Sequence, residues 1–138
     1  MRKPKFLYHG SAKELIGNKL IPKKAKDLGK KSENLHTAVY ATKKKQIAIA
    51  MAIISCRGVY KSSLSFNKSS KSKTYGTIHI GWPKQEYIYL YTLSSKTFKP
   101  TDKRGLQWIS EKAVKPEKID KLLVKDYIKL VKKVNKKE

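Results

Sequence analysis

The segment from Lys43 to Cys56 constrains the fold most, because it is the clearest helix in the sequence. Thr42 before it is a suitable N-cap, and Gly58 after it is a suitable stop. Apolar and small side chains cover most of its circumference; they include Ile47, Ala48, Met51, Ala52, Ile54 and Ser55. A helix with this pattern packs against neighbours on more than one side. We therefore expect a buried helix here, covered by other elements.

The second half of the chain is dominated by strand patterns. Glu86 to Leu93 gives the strongest β signal, because tyrosines and branched or apolar residues follow one another without a break. The predicted strands are Lys5 to His9, Ala38 to Ala41, Tyr75 to Ile80, Glu86 to Leu93, Leu106 to Val114 and Ile119 to Val124. A short terminal helix is predicted near Tyr127 to Val134. One packed helix with a mostly antiparallel sheet is an α+β layout.

The length of 138 residues fits a single domain spanning 1–138. Within it, the Ser- and Lys-rich segment from Ser62 to Lys73 is typical of a mobile loop. The longest apolar run, Ile47 to Ile54, is too short to cross a membrane, and the basic N-terminus lacks the apolar core of a signal peptide. The only cysteine, Cys56, excludes an intrachain disulfide. We therefore expect a cytoplasmic protein without a membrane partner.

The balance of charge is strongly basic, with 33 Lys and Arg against 10 Asp and Glu and a formal net charge of +23. Nearly all of the basic residues are lysines; the arginines are Arg2, Arg57 and Arg104. Lysine acts as a point charge that any phosphate can use, whereas base recognition favours the arginine fork. The charge therefore suits RNA, DNA or a phosphate-bearing small molecule as partner, or serves solubility alone.

Few residues are suited to chemistry. The spacing of His9, His36 and His79 matches no metal motif, so we expect no metal, and Cys56 at the end of the packed helix is expected to be a small buried hydrophobe. Glu86 stands out among the carboxylates because it begins the strongest strand, although an exposed edge charge would look the same. His9 ends a strand before Gly10, where a neutral imidazole could bond a sugar hydroxyl or simply be satisfied in the core.

Two sequence blocks carry a resemblance to a known family. The first is Leu7-Tyr8-His9-Gly10-Ser11, and the second is Val39-Tyr40-Ala41-Thr42, which leads into the small-residue helix. With a strand-rich second half, they resemble the histidine–tyrosine branch of the ADP-ribosyltransferase superfamily. That branch includes poly(ADP-ribose) polymerase catalytic domains, rifampin ADP-ribosyltransferases and tRNA 2′-phosphotransferases. The likeness in layout covers nearly the whole chain, and the likeness in residues is confined to the two blocks.

The resemblance implies a split pair of antiparallel sheets that bind NAD+ in the cleft between them. In that family the histidine bonds the adenosine ribose, the next glycine's backbone receives the nicotinamide amide, and the tyrosine stacks on the nicotinamide ring. These roles would fall on His9, Gly10 and Tyr40. Ser11 and Thr42 complete the cofactor-binding set as neighbours in the same blocks, and nearby lysines would hold the pyrophosphate.

The third family element is a carboxylate on a late strand, which stabilises the positive charge that develops as nicotinamide leaves. Glu86 resembles the polymerase-type glutamate before a strand, whereas the order of elements points instead to Gln107 in Gln107-Trp108-Ile109-Ser110. Glu111 is a further candidate. A glutamine at this position could bond the ribose but could not supply negative charge.

Three functions follow as hypotheses. The first is an NAD+-dependent mono-ADP-ribosyltransferase with an unknown acceptor, in which Tyr40 orients the ring and Glu86 stabilises the developing cation. The second is an RNA 2′-phosphotransferase, against which the scarcity of arginines argues. The third is a non-catalytic domain on the same fold that binds nucleic acid or another partner.

Overall fold

The computed structural model describes residues 3–24, 37–64, 74–103 and 105–134. The elements in chain order are β1 (Phe6–Ser11), β2 (Lys23–Lys24), β3 (Thr37–Ala41), α1 (Lys45–Ile54), β4 (Val59–Leu64), β5 (Gly76–Gly81), β6 (Tyr87–Ser94), β7 (Lys99–Pro100), β8 (Trp108–Ser110), β9 (Lys118–Leu123), α2 (Val124–Tyr127) and β10 (Val131–Lys133). A short 3-10 turn, Ile128–Leu130, joins α2 to β10. The predicted α+β class is confirmed. Across these ranges, no helix has both the length and the apolar character needed to traverse a bilayer.

The described strands form three sheets. The first has the order β1-β6-β9 and is antiparallel throughout. The second has the order β10-β5-β4, with β10 parallel and β4 antiparallel to β5. The third has the order β2-β3-β8-β7 and is antiparallel. Helix α1 packs on the first sheet, and residues of the third sheet share a core cluster with it.

Strand β6 supplies core residues to both sides of that first sheet. Ile88 and Leu90 belong to the cluster around α1, whereas Tyr91 and Leu93 belong to a second cluster with Leu7 and residues of β3 and β8. Alternate side chains of a strand point to opposite faces, which is why one strand can serve two clusters. Helix α1 contacts β1, β4, β5 and β6. The expectation of a helix packed on more than one side is therefore confirmed.

The beginning of α1 differs from the sequence prediction. The helix begins at Lys45, and its N-cap position is Lys44, so the assignment of Thr42 as N-cap was wrong. The backbone of Thr42 is already used in strand pairing, because Thr42 N–H donates to Tyr8 and Thr42 C=O accepts from Tyr8, at 2.9 and 2.8 Å. Its hydroxyl accepts a bond from the Lys44 N–H at 3.2 Å. Thr42 therefore links β1 to the entry of the helix.

Two further segments depart from prediction. The loop expected from Ser62 to Lys73 is wrong for residues 62–64, which belong to β4, where Ser62 pairs with Ile78. The rest of that expected loop, residues 65–73, lies outside the described part. The terminal helix expected near Tyr127 to Val134 is wrong in its second half, because Val131–Lys133 forms a strand parallel to β5. The helical part instead covers Val124–Tyr127 and the turn after it.

Candidate functional site

The predicted histidine and tyrosine meet where β1 and β3 separate. The two strands are joined by an antiparallel bridge between Tyr8 and Thr42. Continued by two residues, that register would place Gly10 opposite Tyr40. At that point a side chain of β1 bonds the backbone of β3, because Nδ1 of the His9 ring lies 2.6 Å from the Tyr40 carbonyl oxygen. The side chain of one block therefore holds the backbone of the other.

A cavity of about 10 Å³ lies at this junction. It is lined by Tyr8, His9, Gly10, Tyr40, Ala41, Thr42, Ala48, Met51 and Gln107. A cavity of this size is at the lower limit for holding one water molecule. Five of the lining residues were predicted from sequence, and β1, β3, α1 and the segment before β8 bring them together. The structure therefore joins His9, Gly10, Tyr40, Thr42 and Gln107 in one place.

Gly10 has a packing role beside its place in the cavity. A Cβ atom at this position would lie 1.8 Å from the carbonyl oxygen of Ala48, so only glycine lets β1 approach α1 this closely. The peptide groups of a strand alternate in direction, so Gly10 points its N–H and C=O to the same edge as Tyr8. That edge is the one that Tyr8 uses to bond Thr42. The backbone of Gly10 is therefore directed toward β3, on the side of the cavity.

The imidazole of His9 is held in its neutral form. Burial lowers the pKa of His9 from its ordinary value of 6.5, and the charge of Lys23 lowers it further, while the bond to the Tyr40 carbonyl opposes both effects. A carbonyl oxygen only accepts, so Nδ1 carries the proton. The other ring nitrogen, Nε2, is then a hydrogen-bond acceptor. In this tautomer Nε2 can accept a hydrogen bond from a sugar hydroxyl.

Gln107 is positioned by the pairing of β8 with β3 and by hydrogen bonds to Thr101. Trp108 pairs with Ala41 of β3, so Gln107 lies one residue before β8, beside Thr42. The backbone N–H of Thr101 donates to the Gln107 carbonyl at 2.9 Å, and the Thr101 hydroxyl lies 3.1 Å from Oε1. The hydroxyl occupies the oxygen side of the amide, so the NH₂ group remains as a donor. The third position of the site is therefore a neutral hydrogen-bonding group.

The other two candidates for that third position lie elsewhere. Glu86 lines a separate cleft of about 420 Å³ beside Trp82. Glu111 is exposed, and its carboxylate lies 3.8 Å from the Lys99 ammonium group. The Ser11 hydroxyl bonds the backbone of Lys13, at 3.0 and 3.1 Å. Neither glutamate is therefore among the residues that line the cavity with His9 and Tyr40.

Several lining residues were not predicted to belong to the site. Ala48 and Met51 were assigned to the core from their helical pattern, and the structure adds a place in the cavity wall. Thr101, which bonds Gln107, carries no signal in the sequence. Trp82 and Pro83, on the connection between β5 and β6, line a separate cleft that was not predicted from the sequence.

Metal binding and thiol chemistry find no support in the described part of the chain. Nowhere in it do three His, Cys, Asp or Glu side chains gather into a group that could hold a metal ion. Burial raises the pKa of the Cys56 thiol to about 11, and Sγ lies 3.5 Å from the Ala52 carbonyl oxygen within the α1 core. Cys56 is therefore a protonated core residue, as predicted.

Comparison of the chain with protein-family models, with curated proteins and with solved structures finds no match. The likeness to the ADP-ribosyltransferase superfamily therefore depends on the two sequence blocks and on where the structure puts them. His9 and Gly10 of the first block share the cavity with Tyr40 and Thr42 of the second.

Proposed function

We propose that the chain binds NAD+ at the cavity between β1, β3, β8 and α1, as an ADP-ribosyltransferase-like protein whose third site residue is Gln107. The observation that carries this proposal is the convergence of His9, Tyr40 and Gln107 on one cavity, with the His9 ring bonded to the Tyr40 backbone at 2.6 Å. These three residues come from segments far apart in the chain. Their meeting was required by the resemblance and by nothing in the local sequence.

Each group has a chemistry that fits part of the dinucleotide. The Tyr40 ring offers an aromatic face to the flat, cationic nicotinamide ring. The Gly10 backbone offers an N–H and a C=O to the nicotinamide amide, and Nε2 of His9 accepts from a ribose hydroxyl. Lys23 is close enough to His9 to lower its pKa, so a positive charge is available for the pyrophosphate.

The cavity must enlarge to receive a ring. Its volume of about 10 Å³ is bounded by Met51 and Gln107, whose side chains are unbranched and can change rotamer. The strands behind them are fixed by the Tyr8–Thr42 bridge and by the β3–β8 ladder. Binding therefore needs movement of side chains rather than of strands.

The nature of Gln107 sets the chemistry that follows binding. Loss of nicotinamide leaves positive charge on the ribose, and a carboxylate beside it would stabilise that charge. The amide of Gln107 can hold the ribose but brings no negative charge. We therefore propose NAD+ binding with slow cleavage or transfer. The RNA 2′-phosphotransferase alternative gains nothing, because Arg57 bonds the Lys84 carbonyl at 3.3 Å and Arg104 lies outside the described residues.

Calorimetric titration with NAD+ tests the proposal. We expect saturable binding, a Kd raised about tenfold or more in Tyr40→Leu, and near-normal binding in Tyr40→Phe, which keeps the aromatic face. His79→Ala is the matched control, because His79 lies on β5 and bonds Ser63 at 3.4 Å rather than lining the cavity. Absence of saturable binding, or equal Kd values in the leucine and phenylalanine variants, would contradict the proposal.

A further inference from the structure

A second cleft, larger than the His9 cavity and separate from it, is open to solvent. Its volume is about 420 Å³, and its walls are the segment between β5 and β6 on one side and α2 with the following turn on the other. It is lined by Trp82, Pro83, Gln85, Glu86, Val124, Lys125 and Ile128. We call it the Trp82 cleft. Its floor is apolar, and Glu86 and Lys125 place one charge of each sign at its walls.

Backbone and side-chain bonds fix the shape of the Trp82 cleft. The Gln85 amide N–H donates to the Ala12 carbonyl at 2.7 Å, and its oxygen accepts from the Arg57 N–H at 2.9 Å. Across the cleft, the Val124 N–H donates to the Glu86 carbonyl at 2.9 Å. The two walls are therefore tied together at their base, and the cleft exists before any ligand binds.

Trp82 gives the cleft an aromatic platform. Its side chain is 41% exposed, whereas Trp108, the other tryptophan, is 2% exposed and buried in the core. An exposed tryptophan on a connecting segment that is held by bonds on both sides has little conformational freedom to lose on stacking. The backbone N–H of Trp82 donates to the Gly58 carbonyl at 3.0 Å, which fixes the backbone beneath the ring.

Cationic side chains lie in the same cleft or bond residues next to its lining. Lys125 lines it, and the Lys133 ammonium group donates to the Gly81 carbonyl, next to Trp82, at 2.7 Å. Lys121 lies over the ring of Tyr87, with 4.2 Å between Nζ and the ring centroid, one residue from Glu86. The net charge of +23 favours a polyanion over a single small anion as the partner.

We propose that the Trp82 cleft binds one nucleotide of a single-stranded nucleic acid. The base stacks on Trp82, the adjoining phosphate lies at Lys125, and Glu86 accepts hydrogen bonds from the edge of the base. Guanine suits this carboxylate best, because its N1–H and N2 amino group are adjacent donors. A duplex does not fit, since its bases are already stacked and paired. The site is independent of NAD+ binding.

Fluorescence polarisation tests this with the full chain and a labelled strand of about eight thymidines containing one central guanine, at about 50 and 200 mM salt. We expect Trp82→Ala to raise the Kd about tenfold and Trp82→Phe to restore most of the affinity. Glu86→Gln should remove the preference for the guanine strand over an all-thymidine strand. Lys125→Ala should reduce the salt slope by about one phosphate contact.

The matched controls are Phe6→Ala and Lys5→Ala. This pair also joins an exposed aromatic ring to a lysine, with 5.5 Å between Nζ and the ring centroid, but it lies at the beginning of β1. If binding is only an effect of overall charge, Lys5→Ala and Lys125→Ala will weaken it equally and Trp82→Ala will not weaken it at all. That result, or equal affinity for the strand and its duplex, would overturn the proposal.

Discussion

The His9 ring and the Tyr40 carbonyl form a 2.6 Å hydrogen bond at the point where β1 and β3 part. Two residues earlier on β1, Tyr8 pairs with Thr42 by ordinary backbone bonds. His9 thus continues with its side chain the pairing that the backbone begins. The two sequence blocks are connected physically, so a change in either one is expected to alter the other.

The burial of His9 gives the stability of the fold a dependence on pH. Burial and the charge of Lys23 hold the pKa of His9 below its ordinary value of 6.5, so the unfolded chain binds the proton more readily. The contribution to stability is therefore complete above about pH 6.5 and is lost as the pH falls toward the lowered folded pKa. Urea midpoints of the wild type should fall over this interval, and those of His9→Asn, which keeps an N–H donor but cannot titrate, should fall less. Parallel pH profiles would exclude His9 as the source.

The contact between Gly10 and α1 predicts a loss of stability in Gly10→Ala. The added methyl group would lie 1.8 Å from the Ala48 carbonyl oxygen, and neither the strand nor the helix backbone can yield easily. We expect a loss of about 1–3 kcal/mol or more in the free energy of unfolding, measured in urea. Gly17→Ala is the control, because nothing lies within 4 Å of its added Cβ and only its positive φ of 92° adds strain. Equal losses in the two variants would mean that moving β1 away from α1 costs no more than the backbone strain at position 17.

Because Gln107, the third residue of the proposed NAD+ site, is neutral, we expect Gln107→Glu to gain activity. A carboxylate beside the nicotinamide ribose would stabilise the charge that develops as nicotinamide leaves, which a glutamine cannot do. We expect NAD+ cleavage to rise about tenfold to a hundredfold over the wild type, measured as release of nicotinamide. Glu111→Gln should leave this rate unchanged, because Glu111 is exposed beside Lys99. If Gln107→Glu cleaves NAD+ at the same rate as the wild type, the proposal that Gln107 lies beside the ribose is wrong.

The helix and the central strand were predictable because their signals are local. The apolar pattern of α1 and the dense β-forming sequence of β6 are each contained in one segment, and burial on two sides follows from that pattern. The pairing of strands that are distant in the sequence has no comparable local signal. Val131–Lys133 forms a short parallel strand only because β5 is beside it, so the sequence favoured a continued helix there.

The choice between Glu86 and Gln107 shows the same limit at the site. The sequence placed both near late strands, but only the pairing of Tyr40 with Ile109 decides which residue lies beside β3. That register depends on residues separated by half of the chain. The Trp82 cleft was missed for a related reason, since its second wall, Val124 to Ile128, is distant in sequence from its first.

The bonds of Gln85 predict that Gln85→Glu opens the Trp82 cleft. A carboxylate can still accept from the Arg57 N–H, but it cannot donate to the carbonyls of Ala12 and Tyr87, which the amide reaches at 2.7 and 2.8 Å. We expect a loss of about 1–3 kcal/mol in unfolding free energy and weaker binding of the guanine-containing strand. Gln46→Glu, on the exposed side of α1, makes the same change in charge and should weaken binding less. Equal weakening in the two variants would attribute the effect to net charge, and the bonds of Gln85 would then have no part in shaping the cleft.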